Sequence, residues 1–285
     1  MGISMLAHVP LPVTPEEVRT IDRETFVLDV RSPDRFAAGH LAGAGRIEAR
    51  EFTARRAELP PRDARVLVVH EDPGLAREAA EALGTLGYAW VRWLDAPLDA
   101  MAEGVAHTTA AARLWRPSPF LERVLPRLPQ GRALDIAAGS GRESVFLALH
   151  GFDVEAWDHA PEALERAEAL AARHGVRIHT RLVDLERGDM PDPGQFQVVM
   201  AFRFLHRPLL PWLERAVAPG GALVYETFRL GQEVHGRPKH PRFLLYPGEI
   251  ASVFPSLSVV LHEEPDVPGG PVMSRLLAFR PSHTL

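Results

Sequence analysis

Short apolar runs alternate with amphipathic stretches along most of this 285-residue chain, and this alternation limits the folds open to it more than any other feature. Runs such as TFVLDVR and RVLVVHE in the first part, and RALDIA and FQVVMAF in the second, have the length and composition of buried strands. Helical stretches such as PEALERAEALAARHG separate them. Strands that alternate with helices form parallel sheets, because the helix returns the chain to the same end of the sheet. We therefore predict an α/β protein.

The alternation occurs in two blocks, which we expect to be two domains. A single core usually stops growing at about 250 to 300 residues, so two domains suit this length well. Between the blocks, residues 93–120 show no strand pattern and end in proline-rich sequence. We place the boundary near residue 105, which gives an N-terminal domain of residues 1–105 and a C-terminal domain of residues 106–285.

Composition excludes several classes of protein. The net charge of -5 and the lack of an arginine-rich block argue against nucleic-acid binding, because that affinity depends on neutralised phosphates. The apolar runs are shorter than the roughly 20 residues of a membrane span and no signal-peptide pattern begins the chain, so we expect a cytoplasmic protein without membrane contact. The absence of cysteine excludes disulfides, thiolate catalysis and thiolate metal ligands. No metal site is predicted.

The segment FVLDVRSPDRFAAGHLAGAGRI resembles the start of a rhodanese-like domain, in which a strand, Asp-x-Arg, a helix and Gly-His-x-x-Gly-Ala follow in that order. The resemblance covers residues 14–100 and implies a parallel-sheet domain. Glu71 stands where that family carries its catalytic cysteine. A carboxylate oxygen cannot take up sulfane sulfur as a persulfide, so the resemblance implies a domain without sulfurtransferase activity.

The loop around Glu71 admits two interpretations. Backbone N–H groups that converge before a helix N-terminus form an anion hole, and we hypothesise that the Glu71 carboxylate fills this hole itself. In the alternative interpretation Glu71 is an exposed loop residue, and Asp29, Arg31 and His40 are scaffold residues. In either case we expect the first block to serve as a scaffold, a dimerisation surface or an anion-binding module. If it is a dimerisation surface, the expected assembly is a homodimer.

A glycine turn opens the second block. In LDIAAGSGR, Asp135 ends a predicted strand, and Ala137, Gly139 and Gly141 follow before a predicted helix. Such a turn lets the backbone approach a nucleotide-like ligand closely. A carboxylate beside the turn is unfavourable for a pyrophosphate and favourable for a cation. Asp135 therefore favours the ammonium and sulfonium groups of S-adenosylmethionine over a dinucleotide.

Two further acids follow strand ends in the order that an adenosine needs. Asp158 is placed to accept hydrogen bonds from both ribose hydroxyls. Asp184 is placed to accept from the adenine amino group, with Leu185 against the face of the base. With LERAVAPGGALVYETF, these segments make residues 118–282 resemble a class I S-adenosylmethionine-dependent methyltransferase, which implies a Rossmann-like fold and S-adenosyl-L-methionine as cofactor. The donor site assigned on this basis consists of Asp135, Ala137, Gly139, Gly141, Arg142, Asp158, His159, Asp184, Leu185 and Ala201.

Acceptor-binding residues are expected in the loops after the fourth and fifth strands of the second block, because ligands bind at the carboxyl ends of parallel strands. In AFRFLHRPLLP we expect Arg203 and His206 to face the methyl group as the catalytic residues. We assign Arg207, Glu226 and Arg237 to the acceptor. In the alternative interpretation, His206 and Arg207 cap the following helix or pair with Glu226.

The runs RFLHRPL, YETF, GRPKHP and LLYPGE resemble the branch of methyltransferases related to tellurite-resistance and thiopurine enzymes. That resemblance implies a small-molecule acceptor with a soft chalcogen nucleophile, either an oxyanion or a thiol-type compound. Two other functions stay open at this point. One is a non-catalytic ligand sensor in which both domains have lost their chemistry, and the other is a nicotinamide-dependent oxidoreductase.

Overall fold

The chain divides into two compact units, Met1–Arg116 (unit 1) and Pro117–Leu285 (unit 2). The structure, a computed structural model, describes residues 9–101, 105–106, 111–187 and 191–282. The division falls after the boundary expected near residue 105, because the residues that follow it still belong to unit 1. The Ala112 amide donates to the Ala44 carbonyl at 2.9 Å, and Leu114 is buried in the core of unit 1.

Unit 1 is built on a five-stranded, all-parallel sheet. The strands of the whole unit are β1 (Leu11–Val13), β2 (Phe26–Asp29), β3 (His40–Leu41), β4 (Ala44–Arg46), β5 (Arg65–Val69), β6 (Trp90–Leu94) and β7 (Val105–Ala106). Its α-helices are α1 (Pro15–Arg19), α2 (Pro33–Ala38) and α3 (Pro73–Thr85). The sheet order is β1-β6-β5-β2-β4, and β3 and β7 form a separate antiparallel pair. The predicted strands β2 and β5 and the helix α3 are confirmed.

Both faces of this sheet are covered by apolar residues. Along β5, Val66 and Val68 pack into one core while Leu67 and Val69 pack into another. Alternate side chains of a strand point to opposite faces, so a strand between two cores reads as a continuous apolar run. The strand β6 was not predicted from the sequence, because exposed side chains interrupt its run of apolar residues.

Unit 2 contains a seven-stranded mixed sheet. Its strands are β8 (Arg132–Ile136), β9 (Asp153–Asp158), β10 (His179–Leu182), β11 (Phe196–Phe202), β12 (Val217–Phe228), β13 (Ser258–Glu263) and β14 (Met273–Phe279), and its helices are α4 (Pro119–Val124), α5 (Arg142–Leu149), α6 (Pro161–Arg173), α7 (Leu210–Ala216) and α8 (Gln232–His235). The order is β10-β9-β8-β11-β12-β14-β13. The pairs from β10 to β12 are parallel, and those of β14 with β12 and β13 are antiparallel.

The strand order places a topological switch point between β8 and β11. From β8 the chain moves outward to β9 and β10, then returns to β11 on the other side and continues to β12. In an open parallel sheet, ligands bind at the carboxyl ends of the strands at such a point. The predicted α/β fold class, with a parallel sheet in the first unit and a Rossmann-like second unit, is confirmed. Among the described residues, no helix has both the length and the hydropathy required of a membrane span.

Candidate functional site

The glycine turn of residues 137–141, here called the donor turn, joins β8 to α5. Ala137, Gly139 and Gly141 all have positive φ angles, of 57°, 56° and 74°. A Cβ on Gly141 would lie 2.5 Å from the Cβ of Ala167 on α6, so this glycine allows the two helices to approach each other. A Cβ on Gly139 would meet no atom within 4 Å. Open space therefore lies beside the turn at Gly139, as a closely held ligand would require.

Asp135 lies beneath this turn and is 2% exposed. The Ser144 hydroxyl donates to its Oδ2 at 2.5 Å. Burial raises the pKa of Asp135 well above its ordinary range, and the nearby charge of Glu143 adds to the effect, while the bond from Ser144 opposes it. The carboxyl group is thus buried beneath the turn and accepts a hydrogen bond from α5.

Asp158 connects neighbouring strand ends. Its Oδ2 accepts from the Gly139 amide at 2.8 Å, and its Oδ1 accepts from the Ala160 amide at 3.0 Å. The Asp158 carbonyl accepts from the Val183 amide at 2.9 Å, just beyond the end of β10. The side chain expected to meet the ribose therefore also holds the donor turn in place. The exposed His159 imidazole lies 3.4 Å from the same carboxylate.

The remaining predicted donor residues occupy different environments at this sheet edge. Asp184 is exposed, and its Oδ2 lies 3.0 Å from Nε of Arg187. Leu185 and Ala201 are buried in the main core of unit 2. Arg142 is half-buried at the first position of α5. The structure thus brings the predicted donor residues to the carboxyl ends of β8, β9, β10 and β11.

The acceptor loop, residues 203–206, follows β11. Arg203 is exposed and has a φ angle of 56°, unusual for a residue with a side chain. Its amide donates to the Glu226 carbonyl at 2.7 Å, and the Tyr225 hydroxyl donates to the Phe204 carbonyl at 2.8 Å. His206 occupies the N-cap position of a short 3-10 helix, yet its side chain makes no capping hydrogen bond. The capping role considered for His206 is therefore absent.

Arg207 is held within the protein. Its Nε and Nη2 donate to the two carboxylate oxygens of Glu249 at 2.6 and 2.8 Å, and its guanidinium also donates to the carbonyls of Arg242 and Leu244. Burial tends to raise the pKa of Glu249, but these bonds from Arg207 and one from the Tyr246 amide lower it overall. The alternative pairing of Arg207 with Glu226 is wrong, since Glu249 is the partner. Arg207 therefore anchors the polypeptide after β12 and has few donors left for an acceptor.

Glu226, predicted to bind the acceptor, is 3% exposed. Its Oε1 accepts from the Ser118 hydroxyl at 2.9 Å, and its Oε2 accepts from Nε of Arg275 at 2.6 Å. Each carboxylate oxygen thus already accepts one hydrogen bond within the protein, and acceptor binding by Glu226 stays a prediction. Arg237, by contrast, is exposed on the polar segment after α8.

Sequence reasoning missed Ser118, Tyr225, Glu249 and Arg275 as parts of this edge. Ser118 had a recognisable signal, because Ser-Pro before an apolar run is typical of a helix start, where serine accepts from the backbone. Tyr225 lies in a correctly predicted strand, but its hydrogen bond depends on the path of another loop. Arg275 lies in β14, which was not predicted. Pairings of this kind are fixed only by the tertiary structure.

The loop of unit 1 that carries Glu71 is bonded to Arg35 of α2 and is capped by Asp72 at the start of α3. Both carboxylate oxygens of Glu71 contact Nε of Arg35, at 3.1 and 3.0 Å. The Asp72 side chain accepts from the Gly74 amide at 2.7 Å and caps α3, and Pro73 has no N–H. The hypothesis that Glu71 fills an anion hole is therefore not supported. The anion-binding role considered for this domain stays a prediction.

Comparisons with known proteins identify relatives of both units. Residues 14–102 match the rhodanese-like domain family, and residues 123–220 match the family of tellurite resistance protein TehB. A probable S-adenosyl-L-methionine-dependent methyltransferase TehB of Haemophilus influenzae is 31% identical over 81 residues, which are 28% of each chain. A ubiquinone biosynthesis O-methyltransferase of Bordetella bronchiseptica is 28% identical over 145 residues, 44% of this chain and 60% of that protein.

The crystal structure of TehB from Haemophilus influenzae has 18% sequence identity and a TM-score of 0.48, covering 64% of this chain and 65% of that one. The chain thus spans less than two thirds of the length of each of these relatives. The resemblances inferred from the motifs are confirmed by the family matches. Residues 14–102 are therefore similar to rhodanese-like domains, and residues 123–220 are similar to the methyltransferase family of TehB.

Proposed function

We propose that unit 2 transfers a methyl group from S-adenosylmethionine to a small-molecule acceptor, a chalcogen oxyanion or a thiol-type compound. The observation that carries this proposal is the acidic surrounding of the donor turn. The Asp158 carboxylate accepts from the Gly139 amide at 2.8 Å, Asp135 lies near the end of the strand before the turn, and Glu143 lies in the first turn of the helix after it. A negative potential beside an open glycine turn favours a cationic sulfonium compound and disfavours a diphosphate.

The residues at the strand ends fit this donor. Gly139 leaves open space for a closely held ligand, and the Asp158 oxygens each have a further lone pair for a ribose hydroxyl beyond the amide bonds already made. Asp184 is exposed at the end of the adjacent strand, where it would accept from the adenine amino group. When bound, the donor supplies a methyl carbon that is already activated by a sulfonium leaving group.

The chain would promote transfer mainly by alignment. Arg203 and His206 follow the end of β11, the strand next to β8, so we assign them to the side of the site from which the nucleophile approaches. The new bond forms at the methyl carbon as the carbon–sulfur bond breaks, and an acceptor that is already anionic needs no base. Arg237, Lys239 and Arg242 are exposed on the segment after α8 and would attract an anionic acceptor.

Ligand protection tests the donor assignment. S-adenosylhomocysteine at millimolar concentration should raise the unfolding temperature of the protein, whereas NAD should not, because only a ligand that binds the folded state stabilises it. Protection by NAD alone would favour the oxidoreductase, and protection by neither compound would contradict the proposed donor site.

A screen with donor labelled in its methyl group tests the reaction. We expect label transfer to selenite, tellurite or a small thiol, and we expect Arg203→Ala and His206→Ala to lower kcat/KM. Unchanged turnover in the double variant with every accepted substrate would remove both residues from the site. A protein that binds the donor but labels none of these acceptors would fit the ligand sensor instead.

We also propose that unit 1 is a non-catalytic scaffold or a dimerisation surface. Its support is the replacement of the cysteine by Glu71 and the closure of the loop by Arg35 and Asp72. Sedimentation equilibrium of the full chain distinguishes the two roles. A monomer would exclude the dimerisation surface and favour the scaffold, and a dimer that persists in Glu71→Ala would show that the Glu71 loop is not its interface.

A further inference from the structure

Glu226 lies at the centre of a buried polar array at the carboxyl end of β12. It is paired in register with Phe202 of β11 on one side and with Arg275 of β14 on the other. Both of its carboxylate oxygens are bonded, to Ser118 and Arg275. Its main-chain carbonyl accepts from the Arg203 amide. One residue therefore contacts the acceptor loop through its backbone and a distant segment through its side chain.

Ser118 is the second junction of this array and is buried at the start of α4. Its hydroxyl donates to Glu226 and accepts from the Phe120 amide at 3.1 Å. Its own amide donates to Oε1 of Glu143 at 3.2 Å. Glu143 lies in the first turn of α5, directly after the donor turn. Ser118 thus connects the helix that follows the donor turn to the strand that holds the acceptor loop.

We propose that Glu226 and Ser118 are positioning residues that hold the donor turn and the acceptor loop in one arrangement. The proposal rests on the proposed function, because it assigns these residues to the same donor and acceptor sides. A buried carboxylate that lost Ser118 would keep Arg275 but would have an unsatisfied oxygen, so the strand end would relax. Such a shift would move the acceptor loop through Arg203 and the donor turn through Glu143.

The isosteric variant Glu226→Gln and the smaller change Ser118→Ala test this connection. We expect each to raise the dissociation constant of S-adenosylhomocysteine about tenfold, the usual effect of losing a hydrogen bond to a charged group. The double variant should lose less affinity than the product of the two single effects, because both changes act on the bond between Ser118 and Glu226. Effects that multiply in the double variant, or single effects below about twofold, would overturn the proposal.

Amide hydrogen exchange gives a readout that does not depend on the donor. Both variants should speed exchange at the amides of Ser118 and Arg203 while leaving the central strand β8 as protected as in the parent. Exchange that is unchanged at both amides, or raised equally throughout unit 2, would contradict a positioning role. If the parent protein binds no S-adenosylhomocysteine, the proposed function fails, while the exchange measurement still decides the connection.

Glu263→Gln is the matched control. Glu263 lies on β13 and accepts from Nη2 of Arg123 at 2.5 Å, so the control also removes one carboxylate from an ion pair with an arginine. Among the described residues, the Glu263 carboxylate bonds to Arg123 and makes no hydrogen bond to Ser118 or Arg203. We expect the parent dissociation constant and the parent exchange rates at Ser118 and Arg203. A tenfold loss of affinity in this control as well would show a general effect of sheet charges and would overturn the proposal.

Discussion

At the scale of single residues, Asp135 combines two opposing demands. Its burial beneath the donor turn makes the ionised form costly, as the raised pKa shows. A cationic donor near the turn would favour that same ionised form. At neutral pH the buried carboxyl group therefore lowers the stability of the folded protein, while its ionised form would bind a positively charged ligand. Functional sites commonly lower the stability of a protein in this way.

The variant Asp135→Asn separates these effects. A folded pKa above the unfolded value stabilises the protein at low pH, and this contribution is lost as pH rises from about 4 through the folded pKa. Relative to the parent, the variant should therefore gain unfolding free energy over that range, by about 1.4 kcal/mol for each pH unit between the two pKa values. Its dissociation constant for S-adenosylmethionine should rise about tenfold.

Chemical denaturation at a series of pH values and calorimetry measure the two quantities. Asp153→Asn is a suitable control, because Asp153 is exposed at the opposite end of the neighbouring strand. A parent and an Asp135→Asn variant with parallel stability curves would contradict the assigned cause.

At the scale of elements, the segment between β12 and β13, residues 229–257, is held by apolar side chains in the core of unit 2 and also by polar contacts. Arg207 binds Glu249 with two hydrogen bonds and adds bonds to two carbonyls of the segment. The Leu245 amide donates to the Phe228 carbonyl at 3.0 Å. This segment follows the strand that holds the acceptor loop, so its attachment affects how an acceptor would enter.

The variant Arg207→Ala should lower the unfolding free energy by about 2 to 3 kcal/mol, since several bonds to or from charged groups are lost. The exposed Arg215 on α7 offers the control Arg215→Ala, with an expected change below about 0.5 kcal/mol. Because the pKa of Glu249 is lowered, the contribution of this pair is present above the ordinary glutamate pKa and disappears as pH falls through the lowered value. Equal stability of both variants at pH 7 would refute the anchoring role.

Prediction from sequence succeeded for elements with continuous apolar runs. The strands β2, β5, β8 and β11 have apolar side chains on both faces, and this leaves a clear pattern. The hairpin of β13 and β14 was missed, because β13 is an edge strand without a fully buried face. Ion pairs such as Arg207 with Glu249 join residues far apart in sequence and depend on the folded path of the chain. The sheet edge of the site was therefore predictable, and its internal bonding was not.

At the scale of the whole molecule, the position of the division between the units follows from packing. Gly45 lets residues 112–114 approach β4, since a Cβ there would lie 2.4 Å from Cγ of Leu114. Leu114 fills the core of unit 1 although it follows the boundary expected from composition. A stretch without strand pattern can thus still belong to the domain before it.

The variant Leu114→Ala should lower the unfolding free energy of unit 1 by about 2 to 5 kcal/mol, through lost burial and the cavity that remains. Leu75→Ala, at an exposed position of α3, should change it by less than about 0.5 kcal/mol. Denaturation followed by tryptophan fluorescence measures both, and the affinity for S-adenosylhomocysteine should stay at the parent value. A stable Leu114→Ala variant would place this residue outside the folding unit.

The residues at the start of α3 would leave a cysteine at position 71 without the hydrogen bonds that activate a thiolate. A thiol restored by Glu71→Cys would precede a proline without an N–H and a Gly74 amide already bonded to Asp72. Its anion would gain little from the helix start and would be repelled by the neighbouring aspartate. We therefore expect Glu71→Cys alone to produce an ordinary thiol with little thiolate at neutral pH, which alkylation rates measured against pH would show.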